Sequence, residues 1–161
     1  TLANFGMYMF LILRARELSG GVLAPLILYA IFGLVYAVFS TPFGKLSDKI
    51  GRKKVLMFGY VLFFILCIGF IFIQNFILFS ILFAVYGLVY AMTQPSQKAL
   101  VSDISGKMKA TAFGFFYSAI GLINVLGGLI AGILWDVSYT TMFIYLSAVA
   151  FVVPYALKVV G

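Results

Sequence analysis

Hydrophobic residues run along the chain in long stretches that are separated by short charged segments. No Asp, Glu, Lys or Arg occurs in residues 1–13, 18–44, 55–97, 110–135 and 137–157. A helix needs roughly 20 apolar residues to cross a hydrocarbon core about 30 Å thick, so the longest stretch is sufficient for two crossings, and Gln74 and Asn75 in its middle indicate a turn. The pattern therefore predicts six transmembrane helices, near residues 1–13, 22–41, 55–73, 76–95, 111–134 and 137–157.

The first apolar stretch is short for a membrane crossing. Thirteen residues at about 1.5 Å each cover only roughly two-thirds of the hydrocarbon core, and the first residue, Thr1, is not a methionine. We therefore expect the natural chain to extend upstream. A cleaved signal peptide is the alternative, but this segment has no basic region before its apolar part and no obvious cleavage site.

Composition places the chain among integral membrane proteins. Of its 161 residues, 65% are hydrophobic and only 9% are charged, which leaves too little charge to cover the surface of a soluble domain. The sequence has no His, a single cysteine (Cys67), four scattered acidic residues and no phosphate-binding loop. We therefore expect an all-α, polytopic membrane protein that holds no metal or cofactor and is not an enzyme.

The basic residues are distributed unequally between the two sides of the membrane. Because six successive helices alternate in direction, nine of the eleven Lys and Arg residues fall on one side: Lys45, Lys49, Arg52, Lys53, Lys54, Lys98, Lys107, Lys109 and Lys158. Cytoplasmic loops are enriched in Lys and Arg, so we expect loops 42–54 and 98–110 to face the cytoplasm from a plasma or inner membrane. The net charge of +7 then reflects the orientation of the chain in the membrane, and no nucleic-acid partner is expected.

One cytoplasmic segment, FGKLSDKIGRKKV (43–55), has features that orientation alone does not require. Gly44 would let two helices approach closely, and Gly51 would permit a positive φ at a tight turn. Asp48 is suited to accept hydrogen bonds at a helix N-terminus, where the helix dipole favours an anion. Arg52 offers a planar group for bidentate pairing with a carboxylate.

This segment resembles the loop signature of the major facilitator superfamily, G-x-L-x-D-x-x-G-R-[RK]-[RK], which joins the second and third helices of each six-helix half. The segments FLILRAREL (10–18), KALVSDISGKMKATAFGFFYSAIGL (98–122) and GILWD (132–136) resemble the C-terminal half in some prokaryotic members. The resemblance implies that the chain is helices seven to twelve of a twelve-helix transporter. Its partner would be an N-terminal half of the same chain.

The resemblance implies a role for the loop in transport. A secondary transporter would move a small solute, such as a drug or a metabolite for efflux, by alternating access. The loop would act as a cytoplasmic latch in which Asp48 pairs with Arg52 and with the helix start near residues 110–112. Asp103 is a second candidate for capping the helix that begins near Thr111, while a solvated basic turn that only anchors topology is the alternative.

The resemblance also implies that helices seven, eight, ten and eleven line a cavity, with nine and twelve packed outside. Polar residues at membrane depth suggest function, and the candidates for this lining are Asn4, Tyr29, Tyr36, Tyr86, Tyr90 and Asn124. For the tyrosines, ordinary packing is the alternative. Gly128 and Gly132 form a GxxxG pattern that favours close helix packing.

The predicted membrane spans contain no charged residue, and this bears on energy coupling. If a proton is coupled to transport, the titrating carboxylate would lie in the missing half or in Asp48 or Asp103. At the opposite surface, Arg14 and Glu17 are three residues apart. They would form either an external gate or an ordinary screened surface pair.

Two further interpretations fit the sequence. The chain could be a non-transporting six-helix scaffold or assembly factor, or a half-size transporter that works as a homodimer. In all three cases the lipid bilayer is a partner, whereas a small-molecule solute is a partner only of a transporter.

Overall fold

The computed structural model describes residues 7–159, without the side chains of Tyr8 and residues 153–159. Six helices account for nearly all of this range: α1 (Met7–Ser19), α2 (Leu23–Ile50), α3 (Arg52–Phe72), α4 (Phe76–Ile104), α5 (Lys109–Val137) and α6 (Tyr139–Val159). No strand occurs between residues 7 and 159. The predicted all-α fold is confirmed.

Four of the helices, α2 to α5, are long and apolar enough to cross a membrane. The described side chains of α6, Tyr139–Val152, form a shorter apolar helix, and α1 has 13 residues. The length and composition of α2 to α5 indicate a multi-pass membrane protein. The full path of six crossings stays a prediction.

Two prolines lie inside long helices, although proline usually kinks or ends a helix. Pro42 lies inside α2, which continues to Ile50, and Pro95 lies inside α4, which continues to Ile104. Proline removes one backbone donor, but neighbouring helices and water can satisfy the carbonyl that this leaves free. Here α2 and α4 pack extensively against each other, and both extend beyond their apolar parts into the charged segments.

The connections between helices are short. Gly51 alone separates α2 from α3, and Ser138 alone separates α5 from α6. In the connection between α3 and α4, the Asn75 side chain accepts a hydrogen bond of 2.8 Å from the backbone N–H of Ile77 and caps α4. The predicted turn at Gln74 and Asn75 is thus confirmed.

Helix α3 is more central than a lipid-facing helix should be. It packs against α4 and α6, and one face is buried, including Phe63, Cys67 and Phe70. Only the opposite face, with Phe58 and Ile65, is exposed. A uniformly apolar sequence did not reveal this division, because lipid and a helix neighbour are equally favourable environments for apolar side chains.

Close helix contact occurs at glycines other than those expected. A Cβ atom at Gly87 of α4 would lie 3.0 Å from the carbonyl oxygen of Phe32 and 3.1 Å from Cβ of Val35, both in α2. In contrast, added Cβ atoms at Gly128 and Gly132 would meet no described atom within 4 Å, apart from their own helix backbone. The GxxxG pattern of α5 therefore makes no close contact within the described chain, and Gly87 fixes the α2–α4 crossing.

We predict that Gly87→Ala destabilises the protein by about 1–3 kcal/mol, because the backbone of α2 must move to admit the methyl group. The measurement is the melting temperature of the purified protein in detergent. Gly33→Ala in α2 is the matched control, since its methyl group would enter open space and alanine favours the helix. Equal melting temperatures for both variants would show that Gly87 is not a tight contact.

Candidate gating site and cavity surface

A cluster of polar side chains joins three helices at the predicted cytoplasmic end. Arg52, the first residue of α3, donates through Nε to Oδ2 of Asp103 in α4 at 2.5 Å. Its Nη1 donates to Oδ1 of Asp48 in α2 at 2.5 Å and to Oγ of Ser47 at 3.3 Å. One guanidinium group therefore ties the ends of α2, α3 and α4 together.

Local backbone geometry places Asp48 beside Arg52. Gly51 has φ of 101° and ψ of 136°, which L side chains rarely adopt, and its N–H donates to the carbonyl oxygen of Ser47 at 3.1 Å. Asp48 and Arg52 thus face each other across a one-residue turn. The buried Ser47 adds a second connection, because its hydroxyl donates to the Gly44 carbonyl oxygen at 2.8 Å and accepts from Arg52.

The two carboxylates do not cap α5. Helix α5 begins after Met108 without a side-chain cap, so neither Asp48 nor Asp103 makes the expected contact near residues 110–112. Both pair with Arg52 instead, because α4 continues as a helix as far as Ile104 and brings Asp103 to the guanidinium. Sequence reasoning proposed Asp103 for a different partner and overlooked Ser47, although Ser47 lies inside the same motif.

Solvent moderates the strength of these ion pairs. The side chain of Arg52 is 24% exposed, and those of Asp48 and Asp103 are 60% and 53% exposed. The hydrogen bond to Asp103, and also that to Asp48, raises the pKa of Arg52, which precedes the apolar part of α3. Exposed ion pairs contribute about 0–1 kcal/mol each, so this cluster holds three helix ends while remaining easy to break.

Gly44 makes no close helix contact within the described chain, so its expected packing role stays a prediction. A Cβ atom there would meet no described atom within 4 Å outside its own helix backbone. Because α2 stays helical through this region, Gly44 lies on an open surface of the described chain. Only Gly51 of the two motif glycines has a conformation that requires glycine.

The candidate cavity tyrosines divide into different environments. Tyr86 is fully buried and contacts the rings of Phe32 and Phe63 with centroid distances of 5.5 and 6.0 Å. In this structure Tyr86 therefore packs between helices and has no open surface. Tyr29 is 49% exposed.

Tyr36 and Tyr90 are partly exposed, and their rings meet edge to face at 6.3 Å. They belong to a continuous aromatic cluster that covers the contact between α2 and α4, with Tyr29 at its edge: Tyr29, Phe32, Tyr36, Phe83, Tyr86 and Tyr90.

The two candidate asparagines give different outcomes. Asn124 lies with Gly127 and Ala131 on the only stripe that α5 buries among the described residues. It is 9% exposed, and its Oδ1 atom has no hydrogen-bond partner in the described chain. Asn4 lies outside the described residues. Asn124 therefore faces the helix packing in this structure and is shielded from the open faces of α2 and α5.

At the opposite end, Arg14 joins α1 to α6. Its Nη1 atom lies 2.8 Å from Oε2 of Glu17, so the pair expected from the three-residue spacing is present. The guanidinium also lies 4.4 Å from the ring centroid of Tyr139, whose hydroxyl donates to the carbonyl oxygen of Phe70 in α3. No pattern in the sequence pointed to Tyr139, because its two partners, Arg14 and Phe70, are distant from it along the chain.

The comparisons with known proteins agree with this architecture. The family model described as Major Facilitator Superfamily matches residues 1–160. The chain belongs to the major facilitator superfamily. The resemblance expected from the motif at residues 43–55 is thus confirmed for the chain as a whole.

Among proteins of the superfamily, the chain is 44% identical over 159 residues to an uncharacterized MFS-type transporter of Methanocaldococcus jannaschii. This match covers 94% of the chain and 40% of that relative. The chain is also 30% identical over 141 residues to the quinolone resistance protein NorA of Staphylococcus aureus, covering 84% of the chain and 35% of NorA. The chain thus spans less than half the length of these superfamily relatives.

Within the superfamily motif, we predict that the two glycines respond oppositely to substitution. Gly51→Ala should destabilise the protein by roughly 1–3 kcal/mol, because the side chain must adopt a positive φ. Gly44→Ala should be neutral or stabilising by up to about 1 kcal/mol, since the position is helical and open. Melting temperatures of the two purified variants test this, and a larger loss for Gly44→Ala would contradict it.

Proposed function

We propose that this chain forms one six-helix half of a secondary transporter that moves a small solute by alternating access. Family membership supports this proposal, and the observation that carries it is the bridge from Arg52 to Asp48 and Asp103. The bridge joins three helix ends with contacts that are short, charged and exposed to solvent. Such contacts can hold one arrangement of helices and release it at a small free-energy cost.

The proposed latch is the cluster of Ser47, Asp48, Arg52 and Asp103. Because it lies at the predicted cytoplasmic end, it would stabilise the state that is closed on that side. In the membrane interior, by contrast, α2 and α4 are held by a dense aromatic contact and by Gly87, which favours their movement as one unit. Rocking of rigid units about a central site is the usual mechanism of secondary transporters with this construction.

We infer that the solute is apolar or amphipathic. From Leu23 to Phe43, α2 carries no charge, and its exposed side chains include Leu26, Tyr29 and Leu34. Helix α5 also exposes a large apolar surface, including Phe115 and Leu122. These exposed apolar side chains would form a cavity with a second half of the transporter. The name of the relative NorA points to quinolones as a class to test first.

We predict that the full-length protein in proteoliposomes transports a fluorescent quinolone with saturable kinetics. Tyr29→Ala should raise KM about two- to ten-fold, because one aromatic contact contributes about 0.5–1.5 kcal/mol. Ile65→Ala is the matched control, since Ile65 is similarly exposed but lies on the outer face of α3. Flux equal to that of empty liposomes would exclude quinolones, and equal KM values for both variants would exclude Tyr29 from the cavity.

We predict that breaking the latch shifts the conformational equilibrium about two- to five-fold, as expected for exposed pairs of about 0.5–1 kcal/mol. Arg52→Ala and Asp103→Asn should speed hydrogen–deuterium exchange in residues 44–56 and change the rate of solute flux. Asp136→Asn, which removes an exposed charge at the opposite end, should leave both unchanged. If Asp48→Asn and Arg52→Ala leave the flux unaffected, the cluster is not a latch and only anchors the membrane topology.

A further inference from the structure

The outer face of α3 has a groove at its predicted cytoplasmic end. The groove has a volume of about 230 Å³ and is lined by Lys54, Met57, Phe58 and Val61. The spacing of these residues places them on one side of the helix. Phe58 is 61% exposed and Val61 is 46% exposed, so the groove faces away from the helix packing.

Lys54, at one end of the groove, has no ion-pair partner among the described residues. Arg52 is held between Asp48 and Asp103, whereas Lys54 takes part in no ion pair within the described part of the chain. Lys54 is exposed, and Lys53 beside it adds a second positive charge. An anion that approached this end of α3 would meet two lysines, whereas the carboxylates of Asp48 and Asp103 are paired with Arg52.

The position of Lys54 relative to the membrane determines which anion can reach it. The uncharged part of α3 begins at Val55 and continues to the end of the helix at Phe72. At about 1.5 Å per residue this part extends roughly 27 Å, which is close to the thickness of the hydrocarbon core. Lys54 therefore lies at the level of the lipid head groups. From Lys54 to Val61 the groove descends about 10 Å into the apolar layer.

We propose that this groove binds an anionic phospholipid of the cytoplasmic leaflet. The lipid phosphate would pair with Lys54, and an acyl chain would lie along Met57, Phe58 and Val61. Anionic lipids are enriched in the cytoplasmic leaflet and are attracted to juxtamembrane basic residues. A neutral molecule would leave Lys54 unpaired, and a soluble anion would leave the apolar part of the groove empty, so a lipid with a net negative head group matches both ends.

Lipid binding to the purified full-length protein, measured by native mass spectrometry with phosphatidylglycerol and phosphatidylcholine, tests the site. Lys54→Gln should weaken phosphatidylglycerol binding about five-fold and leave phosphatidylcholine binding unchanged. Lys54→Arg should retain binding, and Lys107→Gln, which removes an exposed cytoplasmic charge away from the groove, should have no effect. Equal losses for Lys54→Gln and Lys107→Gln would mean general attraction to basic loops and would overturn the proposal.

The apolar part of the groove needs its own test. Val61→Trp fills the groove without changing charge and should also weaken phosphatidylglycerol binding, whereas inorganic phosphate at millimolar concentration should not displace the lipid. A photoreactive side chain at position 58 should crosslink to lipid in membranes. Displacement by phosphate alone, or crosslinks to a protein chain in place of lipid, would overturn the proposal. These measurements need no transport activity, so they stand apart from the proposed function.

Discussion

The structure depends on one constraint: in hydrocarbon, every backbone N–H and C=O group must find its partner inside the protein. Helices satisfy this requirement within a single segment, and turns as short as Gly51 and Ser138 leave few backbone groups unpaired between them. The same environment excludes isolated charges from the spans. Charged side chains are therefore confined to the helix ends, and the structure concentrates its electrostatic contacts there.

This separation produces two kinds of attachment between the same helices. In the apolar layer, α2 and α4 are joined by close packing at Gly87 and by the aromatic cluster, which depends on shape and tolerates little displacement. At the predicted cytoplasmic end, Arg52 joins α2, α3 and α4 through exposed carboxylates, and solvent can replace those bonds. A protein that changes conformation needs both, because rigid units preserve a binding surface while weak contacts at their edges allow them to move.

The fold could be predicted from the sequence, but the contacts between the helices could not. Apolar stretches predicted the helices because a membrane imposes a minimum length, and Gly51 could be identified because only glycine readily adopts its φ. The helical continuation past Pro42 and Pro95 depended on packing between α2 and α4, which lies outside local sequence. For the same reason the sequence did not show that Gly87, and not Gly44, makes a tight helix contact, or that Tyr86 is buried while Tyr90 is partly exposed. The burial of a residue depends on the helices that pack around it.

The candidate cavity surface follows from the same constraint. With charges excluded from the interior, a solute can be recognised there only by apolar area, aromatic faces and a few neutral polar groups. Aromatic faces accept many orientations of a flat or amphipathic molecule at similar free energy, whereas a buried charge would demand one fixed partner. The surface of α2 around Tyr29 is therefore suited to a range of flat or amphipathic molecules and does not select one particular compound. This favours broad specificity in the proposed transporter.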